Sequence, residues 1–149
     1  MRILKIIAWI ALVALVVIQF FPVTLNESDT IPQSDFMIVN QVPATIKNRL
    51  QVSCYDCHSN NTDYPWYSKI QPAAWYLEDH IKEGKDELNF NEWDTYSNRR
   101  KNSKLRSIIK QIENGEMPLE SYTFIHGGAR LDSTAVKKII GYMESLQKD

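Results

Sequence analysis

Apolar residues run without a break from Ile6 to Ile18, and Phe20 and Phe21 carry the run past Gln19. No polar face interrupts it, which sets it apart from the amphipathic stripes further along. The pattern then dissolves. Pro22, Pro32 and the polar NESDT stretch break any period over 22–41, which reads as a linker. After Pro43 a helical period begins: Ile46, Leu50 and Cys54 recur every four residues, one face leading into Cys57 and His58. Residues 59–71 are turn formers and aromatics and predict a loop. Pro72 opens a helix bearing Trp75, Leu77, His80 and Ile81, with Gly84 as its stop. Phe90 and Trp93 mark a short helix within 89–96. Leu105, Ile108, Ile109 and Ile112 lie at helical spacing between Ser97 and Asn114, and Gly115 ends that helix. A loop at 116–119 and an irregular stretch at 120–131 follow. Asp132 or Ser133 caps a final helix whose apolar face is Val136, Ile139, Ile140, Met143 and Leu146. No strand alternation stands out, so the expected fold class is all-α.

The first apolar run carries Arg2 and Lys5 at its start. Ile3 to Phe21 approaches the roughly 20 residues that cross a bilayer core. The following QFFPVTLNESD lacks the small-residue pattern of a cleavage site. The expectation is therefore an uncleaved transmembrane signal anchor over 1–21, a linker over 22–41 and a folded domain over 42–149. The positive-inside rule leaves the basic end in the cytoplasm. That predicts a single-pass protein of the cytoplasmic membrane with its C-terminal domain in the periplasm or another extracytoplasmic space.

A length of 149 residues suits one domain with appendages. The formal net charge of −1 gives no electrostatic footprint for nucleic acid. Composition matters most in the cysteines, of which there are two, Cys54 and Cys57. They are too close together to staple a fold and too few for a four-cysteine zinc site.

Cys54-Tyr55-Asp56-Cys57-His58 has the C-x-x-C-H spacing of c-type haem attachment. Two thiols must reach the two vinyl groups on one edge of a flat macrocycle, and residues three apart on a helical turn point the same way. His58 can then turn its imidazole to the iron as proximal ligand. Its other ring nitrogen needs a carbonyl or carboxylate partner, for which the loop before Pro72 is a candidate source. A thioredoxin-like dithiol would need a βαβ pattern that is missing, and a zinc site would need two more ligands that are not evident.

For the sixth position on iron the chain offers Met117, His126, His80, Met143 and Met37. Met117 precedes Pro118 in a loop between two helices, where a thioether can be carried over the ring, and Met/His ligation suits electron transfer. Met143 belongs to the apolar stripe and reads as core, Met37 as linker. Ligation by two histidines, through His126 or His80, is the main rival. Tyr64, Trp66, Tyr67, Trp75 and Trp93 are candidates to wall a haem pocket or form part of the core. Arg99, Arg100 and Lys101 are candidates to pair with haem propionates, against the simpler reading of a solvated face.

The stretch CYDCHSNNTDYPWYSKIQPAAWYLEDHIKEGKDELNFNEW, with the later EMPLESYTFIHGGARLDSTAVKKIIGYME, resembles the bacterial haem-binding domain family of small exported c-type cytochromes. The resemblance spans roughly residues 40–147. It implies an all-α, cytochrome c-like fold with one covalent haem c on Cys54, Cys57 and His58. Its Met-Pro pair is similar to the methionine loop of mono-haem cytochromes c, which favours Met117 as a metal ligand. The expected function is one-electron transfer at the outer face of the cytoplasmic membrane, a carrier rather than a catalyst. The alternatives are a haem-based sensor or peroxidase-like enzyme with a displaceable sixth ligand, and a module in which haem mainly stabilises the fold. The expected partners are haem, the membrane through the N-terminal helix, and redox proteins that the sequence does not name.

Overall fold

The computed structural model describes residues 1–147, and among these the regular structure is entirely helical. Helix α1 spans Arg2–Ile18 and buries no residue. Next come α2 (Phe36–Val39), α3 (Ala44–Leu50), a π-type turn at Gln51–Tyr55 and the short α4 (Asp56–His58). Helices α5 (Ala73–Glu87), α6 (Asn98–Glu113), α7 (Glu120–Ile125) and α8 (Ser133–Ser145) complete the chain, with 3₁₀ turns at Trp66–Lys69, Phe90–Thr95 and Gly127–Ala129. The last two residues of the expected 42–149 domain lie outside the described residues.

The transmembrane anchor expected over 1–21 is corrected here. Among the described residues no helix is long and apolar enough to cross a membrane. The 17 residues of α1 rise about 26 Å at 1.5 Å each, short of the roughly 30 Å hydrocarbon core. The helix stops at Ile18 because Gln19 turns back. Its Nε2 donates to the carbonyls of Leu15 (2.9 Å) and Gln71 (3.1 Å), and its Oε1 accepts from the Gln71 amide at 3.0 Å. The Phe21 carbonyl accepts from Gln71 Nε2 at 3.1 Å and Trp75 Nε1 at 3.0 Å. Phe20 and Phe21 thus follow the start of α5 instead of lengthening α1. The single-pass placement in the cytoplasmic membrane, which depended on that span, falls with it.

Residues 22–41 are tied down where the sequence reads as a linker. Phe36 is wholly buried, edge-on to Trp93 at 4.8 Å and 5.2 Å from Phe90 between ring centroids. Asp35 is 1% exposed. Its carboxylate accepts from the Met37 amide (2.8 Å), Asn91 Nδ2 (2.8 Å) and the Tyr55 hydroxyl (3.1 Å), capping α2 and meeting the requirement that a buried charge be hydrogen-bonded. Leu50, Leu105, Ile139 and Met143 fill the rest of the core, which α3, α6 and α8 surround. Met143 is therefore core, as its stripe position implies.

Helix α6 starts where Ser97 accepts from the Arg100 amide, and it ends before Gly115, whose φ of +70° suits a residue without Cβ. Ser97→Ala is expected to cost about 0.5–2 kcal/mol. That should appear as a lower urea midpoint at unchanged slope.

Candidate functional site

The C-x-x-C-H residues lie on a continuous helical path. The π-type turn at Gln51–Tyr55 joins α3 to α4 without a break, inserting a residue and re-aiming the end of the path. Ser53 Oγ fastens this turn by donating to the Ala129 carbonyl at 2.8 Å. Both intervening motif residues are also held. Tyr55 stacks on Phe90 at 4.9 Å and reaches Asp35, while Asp56 accepts from the Tyr122 hydroxyl at 2.6 Å.

His58 is oriented by α5. The Gly84 and Leu88 carbonyls approach its Nδ1 at 2.8 and 3.0 Å. A carbonyl only accepts, so Nδ1 carries the hydrogen and Nε2 keeps a lone pair. The second partner of the imidazole therefore comes from the C-terminal end of α5, and the loop before Pro72 supplies none. Burial lowers the imidazole pKa, against a partial opposing effect of the two carbonyls. The neutral, ligating form is favoured.

Gly84 makes this approach possible. It was expected to stop α5, yet the helix passes through it to Glu87. A Cβ at residue 84 would lie 2.8 Å from the Cys57 carbonyl oxygen and 3.3 Å from Cys57 Cβ. The glycine is a close-contact position between α4 and α5.

Two adjoining cavities, of about 300 and 220 Å³, share Ser53, Cys54, His58, Glu87 and Met117 in their walls. Together they fall within the roughly 300–1,000 Å³ of cofactor sites. The first adds Cys57, His80, Glu83 and Leu119, the second Phe90, Ile108 and Ile112 from the core side. A larger groove of about 610 Å³ lies between residues 23–26 and α5 and includes neither cysteine. Neither cysteine is in a disulfide. Burial pushes the Cys54 thiol up to about 12, with a smaller push from Cys57, and the Cys57 thiol up to about 11, with a smaller push from the Asp56 carboxylate. Both are neutral thiols at neutral pH, the opposite of the depressed thiol in a dithiol oxidoreductase.

The other expected residues divide. Met117 joins Cys54 and His58 in both cavities. His80 lines one of them, its Nδ1 bonded to the Tyr76 carbonyl at 2.9 Å and its ring over Tyr76. His126 lines neither. It stacks on Tyr122 at 4.6 Å and bonds the Tyr67 hydroxyl at 2.9 Å. Met37 packs on the core. Trp93 is core, Trp66 is 76% exposed, and none of Tyr64, Trp66, Tyr67, Trp75 and Trp93 lines the cleft. Arg100 covers Tyr96 at 4.2 Å and Lys101 pairs with Asp94 at 2.8 Å, so neither lines the cleft. Phe90, Lys104 and Tyr122, which the sequence reading did not single out for this role, do line it. The helical period of α6 places Lys104 on the same face as Ile108 and Ile112, a signal open to the sequence but unused.

Among the described residues, no group of three or more His, Cys, Asp or Glu side chains is arranged to hold a bare metal ion. Two neutral thiols and an oriented imidazole on the rim of a largely apolar cleft suit a flat organic cofactor that brings its own metal. The site and the helical frame thus define a cofactor-binding domain.

The chain belongs to the Haem-binding domain family, whose model matches residues 13–145. The match runs from within α1 to the end of α8 and takes in the whole cleft. No curated protein and no solved structure matches the chain.

Proposed function

We propose that this haem-binding domain is a c-type cytochrome and carries single electrons. Cys54 and Cys57 hold one haem through thioethers, His58 Nε2 is the proximal ligand and Met117 Sδ the sixth. The observation that carries the reading is the His58 imidazole. Its Nδ1 is committed to two carbonyls, and its Nε2 is left for iron at a cleft that Cys54 and Met117 share. Each thiol adds across a vinyl group, sulfur to one carbon and hydrogen to the other, so attachment consumes no net oxidant or reductant. When bound, haem iron supplies a one-electron couple. His58 and Met117 are the residues of this chain that would hold the iron. The chain also supplies apolar walls and the carbonyl pair that fixes the imidazole.

Met117→Ala is the test of the sixth ligand. It is expected to abolish the sulfur-to-iron absorption of the oxidised protein and lower the reduction potential, with covalent haem retained. A spectrum unchanged from wild type would remove Met117 from the iron and turn attention to His80, whose ring lines the same cavity.

A further inference from the structure

We propose that Lys104, with Ser107 and Gln111, forms the edge of the cleft that receives the haem propionates and so fixes which way round the cofactor sits. The inference rests on haem occupying the Cys54–His58 cleft. These three polar residues are spaced i, i+3 and i+7 along α6 and line the same cavity, beside Ile108 and Ile112. The α6 side of the cavity thus carries a polar strip beside two isoleucines.

Charge decides what the strip receives. Lys104 is the one cation lining either cavity among the described residues. Its side chain is 20% exposed, and its nearest carboxylate, on Glu87, stands 3.9 Å away on a side chain that is 87% exposed. A pair that long, with one member in solvent, neutralises the ammonium poorly. Lys101 is as little exposed, at 21%, but its carboxylate partner stands at 2.8 Å, so Lys104 is the lysine of the two that has room for a closer counter-ion. The neighbouring cavity offers the reverse. Among the described residues, Asp56, Glu83 and Glu87 line it together with Cys57 and no Lys or Arg offsets them, whereas the Lys104 cavity has Glu87 as its one carboxylate. A further carboxylate is therefore repelled more strongly on the Cys57 side.

The cofactor's own shape agrees. Vinyl and propionate groups occupy opposite edges of the macrocycle. Cys57 lines the acidic cavity alone, Lys104 lines the other alone, and Cys54 and His58 line both. A vinyl edge anchored at the cysteines therefore sends the propionates towards α6. Lys101 and Arg100, the basic residues one turn earlier, are engaged elsewhere, with Asp94 and Tyr96.

The test is a redox titration of purified holoprotein across about pH 5 to 8, where a poorly compensated carboxyl in an apolar cleft titrates. Lys104→Met is compared with Lys104→Arg and with Lys101→Met as a surface-charge control. The proposal expects Lys104→Met to lower the midpoint potential. The lost cation should also raise the propionate pKa, so as pH falls the variant's potential rises before that of wild type. The gap should narrow between the two pKa values and reopen below both. Lys104→Arg should restore the wild-type profile, and Lys101→Met should leave it unmoved. A Lys104→Met profile that overlays the Lys101→Met profile would overturn the proposal. The titration reads haem whether or not thioethers form. A failure of covalent attachment, seen in denatured protein, is thus distinct from a failure of this inference.

Discussion

Cys57→Ala is expected to leave haem tied through Cys54 alone, or to release it, and Cys54→Ala/Cys57→Ala is expected to lose all covalent haem. The thiols line one cleft with His58, three residues apart on a turn that Ser53, Tyr55 and Asp56 pin from three sides. Neutral thiols at this spacing suit addition to two vinyl groups of one ring. The measurement is the mass of the denatured chain with its haem absorbance. Covalent haem at the wild-type level in the double variant would contradict the assignment. Loss of covalent haem with non-covalent haem retained through His58 would agree with it.

Gly84→Ala is expected to lower both stability and haem loading, although alanine is the better helix former. In a helix interior the exchange normally gains about 0.5–1 kcal/mol. Here the new Cβ would meet the Cys57 carbonyl oxygen at 2.8 Å, backbone against backbone, where neither side is a flexible side-chain tip. Overpacking of this kind costs about 1–3 kcal/mol, so the clash outweighs the helix gain. Relief by separating α4 from α5 would also pull the Gly84 carbonyl from His58 Nδ1 and loosen the imidazole. The checks are denaturant unfolding of the holoprotein and haem bound per chain. A raised unfolding midpoint with full loading would show that α5 does not press on Cys57.

Much of the helical frame was legible in the chain because the periodic faces are long. The stripes of α6 and α8 were readable from Leu105 to Ile112 and from Val136 to Leu146. Of the two caps offered for the last helix, Asp132 and Ser133, the structure uses Asp132. Helix α7 was missed because its six residues bury only Thr123, too little to make a period. The segment holding Phe36 read as a linker because its order comes from distant partners, Asn91, Trp93 and Tyr55, which no local pattern reveals. The anchor failed on length: Gln19 ends the helix through bonds to a residue more than fifty positions away.

At the site, the motif spacing singles out Cys54, Cys57 and His58 and the Met-Pro pair singles out Met117, and the fold brings all four to one cleft. The partners of His58 could not be read, since both are backbone carbonyls, and any residue type supplies one. Gly84 was assigned the usual role of glycine in a helix. Its use here, a close approach to Cys57, depends on which helix crosses it. The aromatics after the motif were abundant enough to suggest a pocket wall. The fold places them in the core, at the surface, and behind the motif around His126 instead.

Covalent attachment is what separates a c-type cytochrome from a domain that merely binds haem. It is read from the reduced pyridine haemochrome of protein made with haem-maturation machinery and then denatured. A c-type spectrum that stays with the unfolded chain, at one haem per chain, is the expected result. A spectrum with unsaturated vinyl groups, or haem that leaves the chain on denaturation, would contradict thioether bonds to Cys54 and Cys57 and leave His58 as the only strong tether.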